Sequence, residues 1–174
     1  FGASVGIYRI AKALNRKAHI VVDEVNASVR PLKERFYTND YDDDMLVSGE
    51  EAVRLVDETT LLVIVDVNKG EHTECPELIE LAQSIVVIDH HRQAGDAIAK
   101  AVLFYIEPYA SSASEMVAEI CQYIGGGLKL RAAEAEALYA GVMIDTNYFT
   151  DKTGVRTFEA MAYLKRNGAD SVRI

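Results

Sequence analysis

The stretch Ile85-Val86-Val87-Ile88-Asp89-His90-His91-Arg92 decides the fold. Four β-branched residues in succession describe a strand covered on both faces, the pattern of a parallel sheet rather than of a half-exposed one. The run stops in a carboxylate, two imidazoles and a guanidinium. Ligands of open parallel sheets bind outside the carboxyl ends of the strands, so Asp89, His90 and His91 belong on that rim.

Working outward, Leu61-Leu62-Val63-Ile64-Val65 is a second apolar strand and ends in Asp66. A parallel neighbour delivers this carboxylate to the same edge. Between the two strands Pro76 opens a helix over Glu77–Ala82, which makes the unit β-α-β. Downstream, the apolar segment Leu138–Asp145 ends in Asp145-Thr146-Asn147-Tyr148-Phe149 and brings a third carboxylate. Polar residues commonly cap strands and helices, but adjacent imidazoles beside carboxylates at matching strand ends fit a site better.

The rest of the chain alternates in the same way. Residues 1–14 carry Ala3, Ile7, Ile10, Ala11 and Leu14 on one helical face, with Gly2 and Gly6 permitting close approach. Ala18–Val22 reads as a strand ending at Asp23, and Glu24–Arg35 has no clean period. Asp40–Asp44 lacks the spacing of a calcium loop and reads as a solvated turn. Ser48-Gly49-Glu50-Glu51 is a capping box, Val102–Ile106 a further strand, and Ser112-Ala113-Ser114-Glu115 a second cap. Ser111 and Ser112 thus sit at a helix N-terminus, where binding of a phosphate and plain capping are both open. Gly125-Gly126-Gly127 follows a helix and reads as a C-cap turn. Arg131–Ile144 and Val155–Asn167 are helices, the latter closed by Gly168. Four strands and at least five helices give a doubly wound α/β fold, a mainly parallel sheet with helices on both faces.

The bulk properties exclude several classes. A chain of 174 residues, 49% hydrophobic and with a mean hydropathy of +0.01, has the makings of one domain with a sizeable core. Its apolar runs fall short of the roughly 20 residues that span a bilayer. A net charge of −9 argues against binding double-stranded nucleic acid, which needs cationic side chains against the phosphates. Cys75 and Cys121 are too few to staple the fold, which fits a reducing compartment. His72-Thr73-Glu74-Cys75 has no second ligand pair and reads as a loop histidine beside a buried thiol rather than a zinc site. His19, at the start of a strand, reads as structural.

Asp89-His90-His91 after one apolar strand, Asp66 after the preceding one and Asp145-Thr146-x-x-Phe149 downstream resemble the DHH phosphoesterase superfamily, which includes RecJ-type exonucleases, oligoribonucleases and family II pyrophosphatases. Asp89-His90-His91-Arg92, Glu107-Pro108-Tyr109-Ala110-Ser111-Ser112 and Thr153-Gly154-Val155-Arg156-Thr157-Phe158 are most similar to the membrane-anchored cyclic-di-AMP phosphodiesterases. In those proteins the DHH domain follows transmembrane helices, a PAS-like sensor and a degenerate GGDEF domain, and precedes a DHH-associated domain.

The resemblance implies a pair of Mn²⁺ ions that hydrolyse the cyclic dinucleotide to linear pApA. Asp66 would bridge the metals, and His90 and Asp145 would complete one of them. His91 would meet the substrate phosphate and Asp89 would orient an imidazole, while Arg92, Ser111 and Ser112 would contact substrate. It further implies that residues 1–174 are a DHH domain whose first metal motif and DHH-associated partner lie outside this stretch. The stretch alone would then be inactive: a cytoplasmic part of a membrane-anchored bacterial protein, without membrane contact of its own and open to forming a homodimer. Asn68 and Lys69 depart from the family, which often has histidine and arginine there. Two other readings are an oligoribonuclease or RecJ-like exonuclease, and an inactive nucleotide-binding or regulatory module.

Overall fold

β4, Ser84–Asp89, is the middle strand of a three-stranded parallel sheet ordered β3-β4-β5, with β3 at Leu61–Val65 and β5 at Ala101–Ile106. The structure is a computed structural model and describes residues 1–23, 27, 29–92 and 98–174. Val65 pairs with Ile88 and Ile88 with Tyr105, so the three carboxyl ends finish level. The ladder continues to the rim, where the Asp66 amide donates to the Ile88 carbonyl and the Glu107 amide to the Asp89 carbonyl, each at 3.0 Å.

The unbroken apolar run of β4 is explained by two cores, one on each face of the sheet. Ile85 and Val87 are fully buried and pack with Ile64, Ile79, Ala82 and Ile98. Val86 and Ile88 point the other way, with Val63 and Val65, into a larger core that includes Met116, Leu138 and Leu164. Alternate residues of a strand face opposite sides, so only a sheet covered on both faces needs every position apolar.

The first face is covered by α4, Glu77–Leu81. The second is covered by α1 (Gly2–Ala13), α5 (Ala113–Tyr123), α6 (Ala132–Asp145) and α7 (Val155–Arg166), which pack on one another. Their close approach depends on missing side chains. A Cβ on Gly2 would stand 2.3 Å from the Ala137 carbonyl oxygen, one on Gly6 2.4 Å from Val117 Cγ1, and one on Gly141 2.1 Å from Ser114 Oγ. Arg156 of α7 grips Glu119 of α5 through two hydrogen bonds of 2.8 and 2.7 Å. Gly168 closes α7 at φ +93°, as the sequence pattern requires.

Several local expectations change. The strands fall into two parallel sheets among the described residues, because β1 (Ile20–Val21) pairs with a short β2 (Leu46–Val47) apart from the main sheet. β2 leaves no periodic signal in two residues. It leads directly into Ser48, whose capping box with Glu51 starts α3, Gly49–Leu55. Residues 24–26 and 28 of the aperiodic stretch lie outside the described residues, and its far end forms the short helix α2, Arg30–Glu34. The acidic loop is not merely solvated: Asp42 accepts from Lys12 at 2.8 Å and from the Tyr8 hydroxyl at 3.1 Å. His19 Nδ1 lies 2.6 Å from the Asp44 carbonyl oxygen, a structural contact. Cys75 is half-buried rather than buried. No helix of the described residues is long and apolar enough to cross a membrane.

Candidate metal centre

The sheet edge gathers Asp66, Asp89, His90 and His91, one ligand atom from each lying within 4.8 Å of the others. The backbone explains the convergence. β3 and β4 stop in register, and Asp66 turns at once into the left-handed region at φ +70°, which aspartate tolerates better than most residues. Such a conformation next to a chemical site is strain held in place by its surroundings.

Asp89 has no exposed surface, yet its carboxylate is fully engaged. Oδ1 accepts from the backbone amides of His90 (2.8 Å) and His91 (3.2 Å), and Oδ2 accepts from Asn68 Nδ2 at 2.7 Å. A buried anion is tolerable when donors replace its water, as here. Oδ1 also lies 2.7 Å from His91 Nδ1. An ionised carboxylate only accepts, so His91 carries its proton on Nδ1 and its Nε2 is the free position.

Because β4 ends at Asp89, the alternation that would send the two imidazoles to opposite faces no longer applies. Their ring centroids lie 4.3 Å apart, but they serve different neighbours. His90 is buried and its Nε2 stands 3.5 Å from Asp66 Oδ1 and 3.9 Å from Asp145 Oδ2. The facing Asp66 carboxylate, helped by the charge of Asp145 and by the Ala110 backbone, outweighs burial and holds its pKa above the ordinary value. His91 is the more exposed, with 58% of its side chain open.

Asp145 arrives from the last turn of α6 rather than from a strand. Burial, followed by the Asp66 carboxylate, pushes its pKa up. Asp66 Oδ1 is buried without a hydrogen-bond partner, although it faces His90. Carboxylates crowded together, one with an orphaned oxygen, and an imidazole nitrogen between them are a donor set suited to a divalent cation of the Mg²⁺ or Mn²⁺ kind.

The remaining expected residues fall differently. Arg92 is exposed just past the cluster. Ser111 and Ser112 are buried and occupied: the Ser111 hydroxyl donates to Glu115 Oε2 at 2.5 Å, and Ser112 Oγ accepts from the Glu115 amide at 2.9 Å. Plain capping of α5 accounts for both. Asn68 stands out in the sequence only as a departure from the family pattern; the structure makes it a direct partner of Asp89.

Residues 1–142 match the model of the DHH family N-terminal domain, and Asp145 lies just beyond the matched segment. The chain is 39% identical over 175 residues to the cyclic-di-AMP phosphodiesterase GdpP of Bacillus subtilis, a match that covers 99% of this chain and 27% of that protein. It is 35% identical over 99 residues to a probable manganese-dependent inorganic pyrophosphatase of Thermotoga maritima, covering 57% of this chain and 18% of the relative. Among solved structures, an exopolyphosphatase-related protein from Bacteroides fragilis superposes with a TM-score of 0.78 at 21% identity, over 98% of this chain and 49% of that one. That last likeness speaks for the fold. The chain belongs to the DHH family, whose phosphoesterases are hydrolases, and it spans about a quarter of the length of its Bacillus relative.

Proposed function

We propose that this chain is the metal-holding domain of a phosphodiesterase that opens cyclic-di-AMP to linear pApA. The observation that carries the proposal is the buried, unpartnered Asp66 Oδ1 facing His90 Nε2 within the four-residue cluster. The similarity over 99% of the chain to a named cyclic-di-AMP phosphodiesterase supports the choice of substrate. The manganese-dependent relative supports Mn²⁺, bound as two ions.

In this reading Asp66, His90 and Asp145 would hold the metal. When bound, the ions supply a water acidic enough to attack at neutral pH and positive charge for the phosphate oxygens. The protein's own residues do the positioning. Asp89 holds the His91 ring through Nδ1 and turns Nε2 outward, where the protonated ring donates to a phosphate oxygen. The sheet edge places the metal-holding group and this imidazole side by side, and the buried flank around His90 keeps bulk water away. Arg92 offers an exposed cation beside the same phosphate.

Two divalent ions together call for about a dozen ligand positions, far more than Asp66, His90 and Asp145 provide. Residues 1–174 on their own are therefore proposed to bind metal weakly and to turn over little, with further ligands coming from elsewhere in a longer, membrane-anchored protein. We place the domain on the cytoplasmic side. The deciding experiment follows cyclic-di-AMP, pApA and a short RNA by chromatography with the protein as its gene encodes it, in Mn²⁺. Conversion of the cyclic substrate to pApA ahead of the others is expected. Failure to open it, with RNA degraded instead, would overturn the assignment in favour of an oligoribonuclease.

A further inference from the structure

The connection between β5 and α5 runs through Glu107-Pro108-Tyr109-Ala110 and is held on both sides of Tyr109. The Ala110 amide donates to the Glu107 carbonyl at 3.0 Å, and the Tyr109 amide donates to Glu107 Oε1 at 3.2 Å. Ala110 is 1% exposed, and the turn is tied to the sheet edge by the Glu107 amide, which donates to the Asp89 carbonyl at 3.0 Å. Tyr109, one residue away, is 92% exposed. A fixed turn thus raises an uncovered aromatic ring two residues past Glu107, whose amide is bonded to the strand end that carries Asp89 and His90.

A second exposed ring, Tyr148, follows three residues after Asp145. Asn147, Tyr148 and Phe149 occupy the left-handed region in succession at φ +46°, +56° and +67°, a run that is costly for residues with a Cβ. It is held by the Tyr148 amide donating to the Met143 carbonyl at 2.8 Å and the Phe149 amide donating to Thr146 Oγ1 at 3.1 Å. The turn packs Phe149 edge-on against Tyr139, with ring centroids 6.3 Å apart, and leaves Tyr148 69% exposed. Tyr148 is three residues from Asp145, and so within about 11 Å of it along the chain.

We propose that Tyr109 and Tyr148 are base-stacking surfaces, each receiving the face of a nucleobase when the phosphodiester lies at Asp66, His90 and Asp145. The inference rests on the phosphodiesterase reading and narrows its substrate class to diesters that carry bases, as against inorganic pyrophosphate or polyphosphate. Stacking suits this chain. With a net charge of −9 the chain as a whole repels an anionic ligand, whereas a tyrosine face binds a base without charge and with few rotors to freeze. Every base has a π-face, so the two rings favour nucleotides as a class rather than one base over another.

The test compares cyclic-di-AMP, a diester of the same backbone with its bases removed, and inorganic pyrophosphate, using wild type, Tyr109→Ala, Tyr148→Ala and the two phenylalanine variants. Binding is followed by calorimetry and turnover by product analysis, in the protein as its gene encodes it. Each alanine change is expected to raise KM and Kd for the base-bearing diester about tenfold. It should leave kcat and the base-free diester near wild type, and phenylalanine should restore binding. Thermal melts identify any variant that is simply misfolded, and the phenylalanine variants then carry the comparison with the abasic diester. Equal losses on both diesters, or no loss on either, would overturn the platform, as would wild type binding the two equally. A wild type that binds the dinucleotide through these tyrosines but hydrolyses no diester would overturn the phosphodiesterase reading and leave the stacking surface standing.

Discussion

His91 is tethered to Asp89 by a 2.7 Å contact between ring Nδ1 and carboxylate Oδ1, and the carboxylate that holds it has no exposed surface. The same carboxylate ties down Asn68 and the backbone amides of His90 and His91. Asp89→Asn keeps the shape but turns one acceptor into a donor that faces donors. Loss of one satisfied buried bond costs about 1–3 kcal/mol, to be read as a lowered urea midpoint. Loss of the tautomer control should lower phosphodiester turnover about 10- to 100-fold. Wild-type stability and turnover in this variant would show that Asp89 is a bystander.

The two histidines should separate in a metal titration. His90 stands between Asp66 and Asp145, whereas His91 leans on Asp89. Calorimetric Mn²⁺ titration is expected to show a large loss of affinity in His90→Ala and in Asp66→Ala, and near wild-type affinity in His91→Ala. Equal losses in both histidine variants would refute the division of labour.

The packing of α6 on α5 gives a prediction independent of any reaction. A Cβ at Gly141 would fall 2.1 Å from Ser114 Oγ and 2.9 Å from Ser114 Cβ, the latter too close to the backbone to swing away. Gly141→Ala is expected to destabilise the fold by about 1–3 kcal/mol despite the better helix propensity of alanine. Gly154, with nothing within 4 Å of its virtual Cβ, is the control. Denaturant midpoints decide the matter, and parity between the two variants would contradict the tight contact.

Glu134 supplies a pH dependence. It is fully buried, its Oε1 has no partner, and burial raises its pKa above 4.5 against the opposing pull of the Arg131 amide and of Arg9 and Arg131. The folded state therefore holds this proton more tightly than the unfolded chain. Its contribution is fully present below about pH 4.5 and is lost as pH rises through the elevated folded value. Glu134→Gln removes the titration. The stability of the wild type relative to this variant should fall as pH rises above 4.5 and then level off, as followed by chemical denaturation across the range. A difference that stays constant or grows with pH would contradict the direction of the shift.

How much of this was legible beforehand depends on the range of the interaction. The four β-branched residues of β4, the Ser48 and Ser112 caps and Gly168 after α7 are local signals, and each element appears where its pattern placed it. The parallel β3-β4 pair follows from two apolar runs with a helix between them, which is also local knowledge. The position of Asp66, Asp89, His90 and His91 on one edge came with it, since parallel strands that end in register bring their next residues together.

Other features depend on partners far along the chain and had no local trace. β2 is two residues long and exists because β1 pairs with it across 26 positions. Ser111 and Ser112 looked equally fit to bind a phosphate or to cap a helix, and it is the packing of α5 in the core that buries both hydroxyls against Glu115. Asn68 became a partner of Asp89 through a contact across 21 residues. Sequence by itself determined the elements and the residue types at the sheet edge, because propensity, capping and alternation act over a few neighbouring positions. Tertiary structure alone decided which imidazole faces the carboxylates, which faces solvent, and which polar groups are already satisfied, because burial and hydrogen-bond partnership are properties of distant segments brought together.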